Sequence, residues 1–213
     1  MECTGNFDIK TVGAGASVGA SPYRGLWEDA RMQMLFRASE LQAMGMQAGT
    51  ITDIAFDVTA NASTQPYNNF TIKMGCTGLN ELTTYVQGLS VVMIDPALSI
   101  TGVGFTNHNL NNAYDWDGQS NLIIEVCFDN SDWTNDDPVN SSASGFNSVL
   151  YSFTDGQSGC SLTAPTQDQL RPNIQFVYCQ APPKNLTYAW TPTNNIFSPD
   201  SLNPFVVLNE STT

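Results

Sequence analysis

Glu125 stands inside the apolar run Leu122-Ile123-Ile124-Glu125-Val126-Cys127-Phe128, and Asp115 and Asp117 flank Trp116 just upstream. Paired carboxyl groups facing one cleft are what a glycosidase requires, one as acid and one as base or nucleophile. In an alternating strand Glu125 shares a side with Ile123 and Cys127, so it faces a partly covered surface or pairs with an Arg. A structural Glu is the expectation. Asp117-Gly118 reads as a turn, because Gly takes positive φ without strain. Gly15-Ala16-Ser17-Val18-Gly19 has the spacing of a nucleophile elbow, whose Ser needs a strand-to-helix turn with an acid and a His following. No helical pattern follows it. The one His, His108, lies within Asn107-His108-Asn109, so an exposed loop histidine and a flexible Gly/Ala loop are expected and no catalytic residue is assigned.

The acidic segment with Asp129, Asp132, Asp136 and Asp137 offers oxygen ligands of the kind Ca²⁺ takes. Its spacing does not fit an EF-hand loop, and a solvated loop is the competing reading. Ca²⁺ is the only cofactor the sequence suggests, since five scattered cysteines without a C-x-x-C pair and a single His give little support to zinc. Trp133, in the middle of this polar stretch, either packs under its loop or offers a face to a ligand. With Trp116 and Tyr67 it forms a candidate set of stacking platforms for a glycan.

Among Cys3, Cys76, Cys127, Cys160 and Cys179, the expected bridge joins Cys127 to Cys160, which follows the turn Asp155-Gly156-Gln157-Ser158-Gly159; isolated buried thiols are the alternative. The odd count leaves at least one thiol free or paired elsewhere.

These side chains need a scaffold, and the period-two pattern supplies it. Met32, Met34, Phe36; Ile54, Phe56, Val58; Phe70, Ile72, Met74; and Ile174, Phe176, Tyr178 each describe one buried strand face. Val91 to Ile94, Leu122 to Phe128 and Val149, Tyr151, Phe153 extend the series. Long polar connections between such strands predict an all-β, two-sheet antiparallel sandwich of jelly-roll type over residues 1–180. One short helix is expected where Ser39-Glu40-Leu41-Gln42 has capping-box spacing and Gly45 can end the turn. Gln180-Ala181-Pro182-Pro183-Lys184 reads as a linker. The segment 181–213 is then the linker and start of an immunoglobulin-like or PKD-like repeat, too short to be complete.

Composition narrows the setting. Twenty acidic against seven basic residues give a net charge of −13, which disfavours nucleic acid and anionic membrane surfaces. No run is long and apolar enough for a membrane helix. Charged residues are only 13% of the chain, replaced by Asn, Ser, Thr, Gln and Gly, as on an extracellular β protein. The start MECTGNFDIK has neither the basic nor the apolar region of a signal peptide, so an export signal is expected outside this chain.

Three stretches carry a resemblance: Arg31-Met32-Gln33-Met34-Leu35-Phe36-Arg37-Ala38-Ser39-Glu40-Leu41 running into Gly49-Thr50-Ile51-Thr52-Asp53-Ile54-Ala55-Phe56; Trp116-Asp117-Gly118-Gln119-Ser120-Asn121 running into Leu122 to Phe128; and Arg171-Pro172-Asn173-Ile174-Gln175-Phe176. Together they resemble a module of large Bacteroidetes cell-surface proteins exported by the type-nine secretion system, including gliding-motility adhesins of the SprB kind. The tail, with Tyr188-Ala189-Trp190-Thr191-Pro192 and Leu202-Asn203-Pro204, is similar to the repeats that follow such modules. The resemblance implies a noncatalytic adhesive or structural role outside the cell, with neighbouring modules of the same polypeptide and a surface polysaccharide or glycan as partners. It also makes Asp200-Ser201-Leu202 relevant as an O-glycosylation signal at Ser201. A carbohydrate-binding module attached to a secreted hydrolase is the alternative.

Overall fold

The computed structural model describes residues 7–180, 189, 191, 196–197 and 205–206. Strands β1 (Phe7–Val12), β2 (Ser17–Val18) and β3 (Asp29–Phe36) precede the single α-helix among these residues, α1 (Ala38–Ala43). Next come β4 (Gly49–Val58), β5 (Tyr67–Thr77), β6 (Ser90–Leu98), β7 (Gly104–Trp116) and β8 (Asn121–Asp129). The series continues with β9 (Asn140–Ala143), β10 (Val149–Thr154), β11 (Thr166–Asp168), β12 (Leu170–Pro172) and β13 (Ile174–Gln180). The chain divides into two compact units, Met1–Ala181 and Pro182–Thr213; in the second, β14 (Ile196–Phe197) pairs antiparallel with β15 (Phe205–Val206). The expected immunoglobulin-like start and Ser201 lie outside the described residues.

Two antiparallel sheets form the sandwich: one of four strands, β1-β13-β4-β7, and one of six, β11-β10-β3-β8-β5-β6. Setting β10 and β11 aside, β1, β3, β4, β5, β6, β7, β8 and β13 taken as strands one to eight give sheets ordered 1-8-3-6 and 2-7-4-5. That order is the interlocked double Greek key of a jelly roll. The expected all-β sandwich is therefore the fold. Between the sheets lie the inward residues read from the sequence, among them Met34, Phe36, Ile54, Phe56, Phe70, Ile72, Ile124, Phe176 and Tyr178.

The six-stranded sheet is covered on its other face as well. Leu35 and Ile123, which point away from the main core, pack with Leu82, Tyr85, Phe146 and Leu150 in a second apolar cluster. All eight residues of β3 are consequently buried. The cover is made by residues 78–89 and by the segments on either side of β10, 144–148 and 155–165, and the first two are joined where the Leu82 amide donates to the Asn147 carbonyl at 2.7 Å.

Helix α1 follows β3 directly, with Arg37 between them, and its cap differs from the expected one. Arg37, not Ser39, is the N-cap, and Glu40 at the third helical position reaches back to accept the Arg37 amide at 2.9 Å. Gly45 closes the turn, donating to the Gln42 carbonyl.

Cys127 and Cys160 are bridged, as expected. Gly159 makes the approach possible: a Cβ there would lie 1.9 Å from the Phe128 carbonyl oxygen. Cys76 is a free, exposed thiol. The bridge closes a loop with a sequence separation of 33 residues. Replacing both Cys127 and Cys160 by Ala is expected to lower unfolding free energy by about 3 kcal/mol in urea titrations. Alkylation without reduction should modify Cys76 and spare Cys127 and Cys160; labelling of either would reject the bridge.

Candidate functional site

Glu125 occupies the centre of the covered face. The register sets it between Gln33 on β3 and Lys73 on β5, with Arg31 two pairs further along β3. Its Oε2 accepts from Arg31 Nε at 2.9 Å, Arg31 Nη2 at 2.7 Å and Gln33 Nε2 at 2.6 Å, while Oε1 accepts from Lys73 Nζ at 2.7 Å. Arg31 also donates to the Leu162 carbonyl and lies over the Tyr85 ring at 4.2 Å. Gln33 bonds both the amide and the carbonyl of Val86, which fastens the first covering segment. The carboxylate expected to be structural is thus the hub of a buried network. With four charged or amide donors on its oxygens it has little lone-pair capacity left for chemistry.

Asp115 and Asp117 do not join it. Asp115 accepts from Thr50 Oγ1 at 2.6 Å. Asp117 closes the expected turn, accepting from the Gln119 and Ser120 amides and the Ser120 hydroxyl, beside Gly118 at φ +75°. Desolvation pushes its carboxyl up, but the hydrogen bonds from Ser120 and Gln119 together outweigh it and hold the carboxyl below the ordinary value. The segment 15–19 forms no elbow: Ser17 and Val18 pair as β2 with β9, and no helix follows.

The calcium reading is corrected. Asp129, Asp132, Asp136 and Asp137 do not converge, and no group of three or more His, Cys, Asp or Glu among the described residues could hold a metal ion. Asp137 is buried and accepts from the Ala62 and Ser63 amides and the Tyr67 hydroxyl. Asp136 pairs with Arg24 and caps the Leu26 amide, and Asp132 bonds its own neighbour's amide. Asp129 faces Asp29 across β3 and β8.

The aromatic set is also corrected. Tyr67 is fully buried and Trp116 nearly so, its Nε1 donating to the Ser120 carbonyl, so neither presents a face to a ligand. Tyr67 is needed inside to bond Asp137. Trp133 alone is open, at 61% exposure.

His108 is the largest departure from expectation. It lies in β7 rather than a loop, 1% exposed, among Tyr23, Phe56 and Phe70. Its Nε2 meets the Tyr23 hydroxyl, and Nδ1 has no hydrogen-bond partner. Burial pushes the imidazole down to about 4, with the charge of Asp95 opposing, so the ring is neutral at physiological pH. The sequence signal was the alternation of Thr106, His108 and Leu110 with Asn107, Asn109 and Asn111, masked because Asn is depleted in strands. No protein-family model, curated protein or solved structure matches this chain.

Two stability predictions follow from these burials. Glu125→Ala leaves Arg31 buried without its carboxylate and is expected to cost about 3–5 kcal/mol in denaturant unfolding. A loss under about 1 kcal/mol would mean that the network contributes little. Asp29 is fully buried; burial first, and then Asp129 opposite, push its carboxyl up to about 6. A carboxyl raised on folding binds more protons in the native state, so stability falls as pH rises from the ordinary value of 3.8 through about 6. Asp29→Asn should therefore be more stable than the parent at neutral pH, by on the order of 1 kcal/mol, and indistinguishable from it in acid. Melting curves across that range check the sign.

Proposed function

We propose that this chain is a noncatalytic structural or adhesive module of a large secreted bacterial surface protein, acting outside the cell as a rigid spacer whose first partners are neighbouring modules of the same polypeptide. The observation that carries the reading is the fate of Glu125 and Asp137: both are buried and each is bonded to at least three protein groups. A carboxylate acting as acid, base or nucleophile needs a reachable oxygen and a neighbour to work with. Further support comes from the disulfide, which suits an oxidising compartment, and from the resemblance of three sequence segments to type-nine-secreted adhesin modules.

A second reading, a carbohydrate-binding module attached to a secreted hydrolase, is favoured by one observation: Trp133 stands exposed in a polar loop, where an aromatic face can stack on a sugar ring. Antibody against the folded sandwich is expected to stain intact cells of the source bacterium. Deleting residues 7–180 from the parent gene should reduce attachment to surfaces and leave polysaccharide hydrolysis in the medium unchanged. Loss of hydrolysis with attachment intact would assign the chain to an enzyme instead.

A further inference from the structure

The two sheets part at one edge, where β6 ends the six-stranded sheet and β7 the four-stranded one. Between them lies a cleft of about 420 Å³, in the size range of small-molecule sites. Bare edges ordinarily invite an added strand, but this one is blunted. The Ile94 amide donates to Asn111 Oδ1 at 2.8 Å, the Ala97 amide donates to Asp95 Oδ1 at 2.9 Å, and Pro96 has no N–H. A peptide strand would find few donors on β6. Recognition in this cleft falls to side chains.

Those side chains are held in fixed orientations. Asn107 Nδ2 donates to Asp53 Oδ1 at 3.0 Å and to Asn109 Oδ1 at 2.8 Å. With its oxygen so engaged, Asn109 presents its NH₂ group, and Asn111, whose oxygen serves Ile94, does the same. Asp95 keeps its second carboxylate oxygen as an acceptor. His108 stands behind them as a neutral wall residue, its Nε2 meeting the Tyr23 hydroxyl and its Nδ1 buried. Met93, Ile94, Pro96 and Leu98 supply aliphatic surface beside these groups.

We propose that the β6–β7 cleft binds a neutral carbohydrate unit, its vicinal hydroxyls meeting the Asn109 and Asn111 amides and Asp95, and its C–H face resting on the aliphatic wall. Each sugar hydroxyl both donates and accepts, which matches a site with several donors beside one acceptor. Acidic sugars are excluded by charge, because Asp95 and Asp53 stand at the cleft and no Lys or Arg lines it. The inference rests on the chain being a noncatalytic surface module and names where and what such a module would grip.

The test is a titration of the full 213-residue ¹⁵N-labelled chain with neutral gluco-, xylo-, manno- and galacto-oligosaccharides to millimolar concentration, read by NMR. At least one neutral series is expected to shift the Asn109 and Asn111 side-chain amides. Asn109→Ala, at an exposed position, should keep the parent spectrum and weaken binding about tenfold or more. Absence of any shift at these groups across the panel overturns the proposal, as do shifts confined to Trp133 or equal binding of a uronate oligosaccharide. Shifts at Trp133 alone would leave the surface-module reading standing while removing this site; cleavage of the added sugar would do the reverse.

Discussion

A single buried carboxylate organises the covered side of this sandwich. Removing Glu125 from water costs several kcal/mol unless charge and hydrogen bonds replace the solvent, and here Arg31, Lys73 and Gln33 do so from the two strands that flank β8. The arrangement dictates more than local pairing. Arg31 and Gln33 must each reach a second partner to satisfy their remaining donors and acceptors, and those partners, the Leu162 carbonyl and the Val86 backbone, belong to the covering segments. The ionic hub therefore ties the cover to the sheet. The Cys127–Cys160 bridge reinforces the same attachment, since Cys127 pairs in register with Arg31 and Cys160 lies two residues before Leu162.

This geometry bears on function through what it leaves outside. The chain has seven basic residues, and Arg31, Lys73 and Arg171 are paired with carboxylates at buried or half-buried positions. The outer surface is accordingly acidic and amide-rich, suited to solubility and to neutral polar ligands more than to polyanions. With both faces of the six-stranded sheet covered, its edges and loops are what it offers for contact. The β6–β7 cleft and Trp133 are two places among the described residues that offer polar or aromatic groups for such contact.

The sequence carried the sandwich because its inner faces alternate cleanly: Met32, Met34, Phe36 and Phe70, Ile72, Met74 could be placed from period alone. Glu125 was legible too, since its neighbours Ile123 and Cys127 marked a covered side. Strand β7 was not. Its outward residues are asparagines and its inward set contains only one large aliphatic, so nothing in a hydrophobic pattern distinguishes it from a loop, and His108 was misplaced with it. Trp116 and Tyr67 were misjudged for a related reason: an aromatic in a polar stretch can face inward when one polar atom finds a partner, as Trp116 does with Ser120 and Tyr67 with Asp137. The acidic segment misled because charge density along the chain says nothing of direction, and its four carboxylates turn to four different sets of partners.

The claim on which the account turns is that the cover over Glu125 is fixed and not a flap that opens onto a reactive carboxylate. The Val86 amide reports on this directly, because it is half-buried in the first covering segment and bonds the Gln33 side chain rather than a strand backbone. Native-state hydrogen exchange followed residue by residue should find Val86 exchanging as slowly as the amides of β3 and β8, through global unfolding. Exchange of Val86 at the rate of an open loop, while β3 stays protected, would show that the cover lifts from Glu125 and would contradict the account.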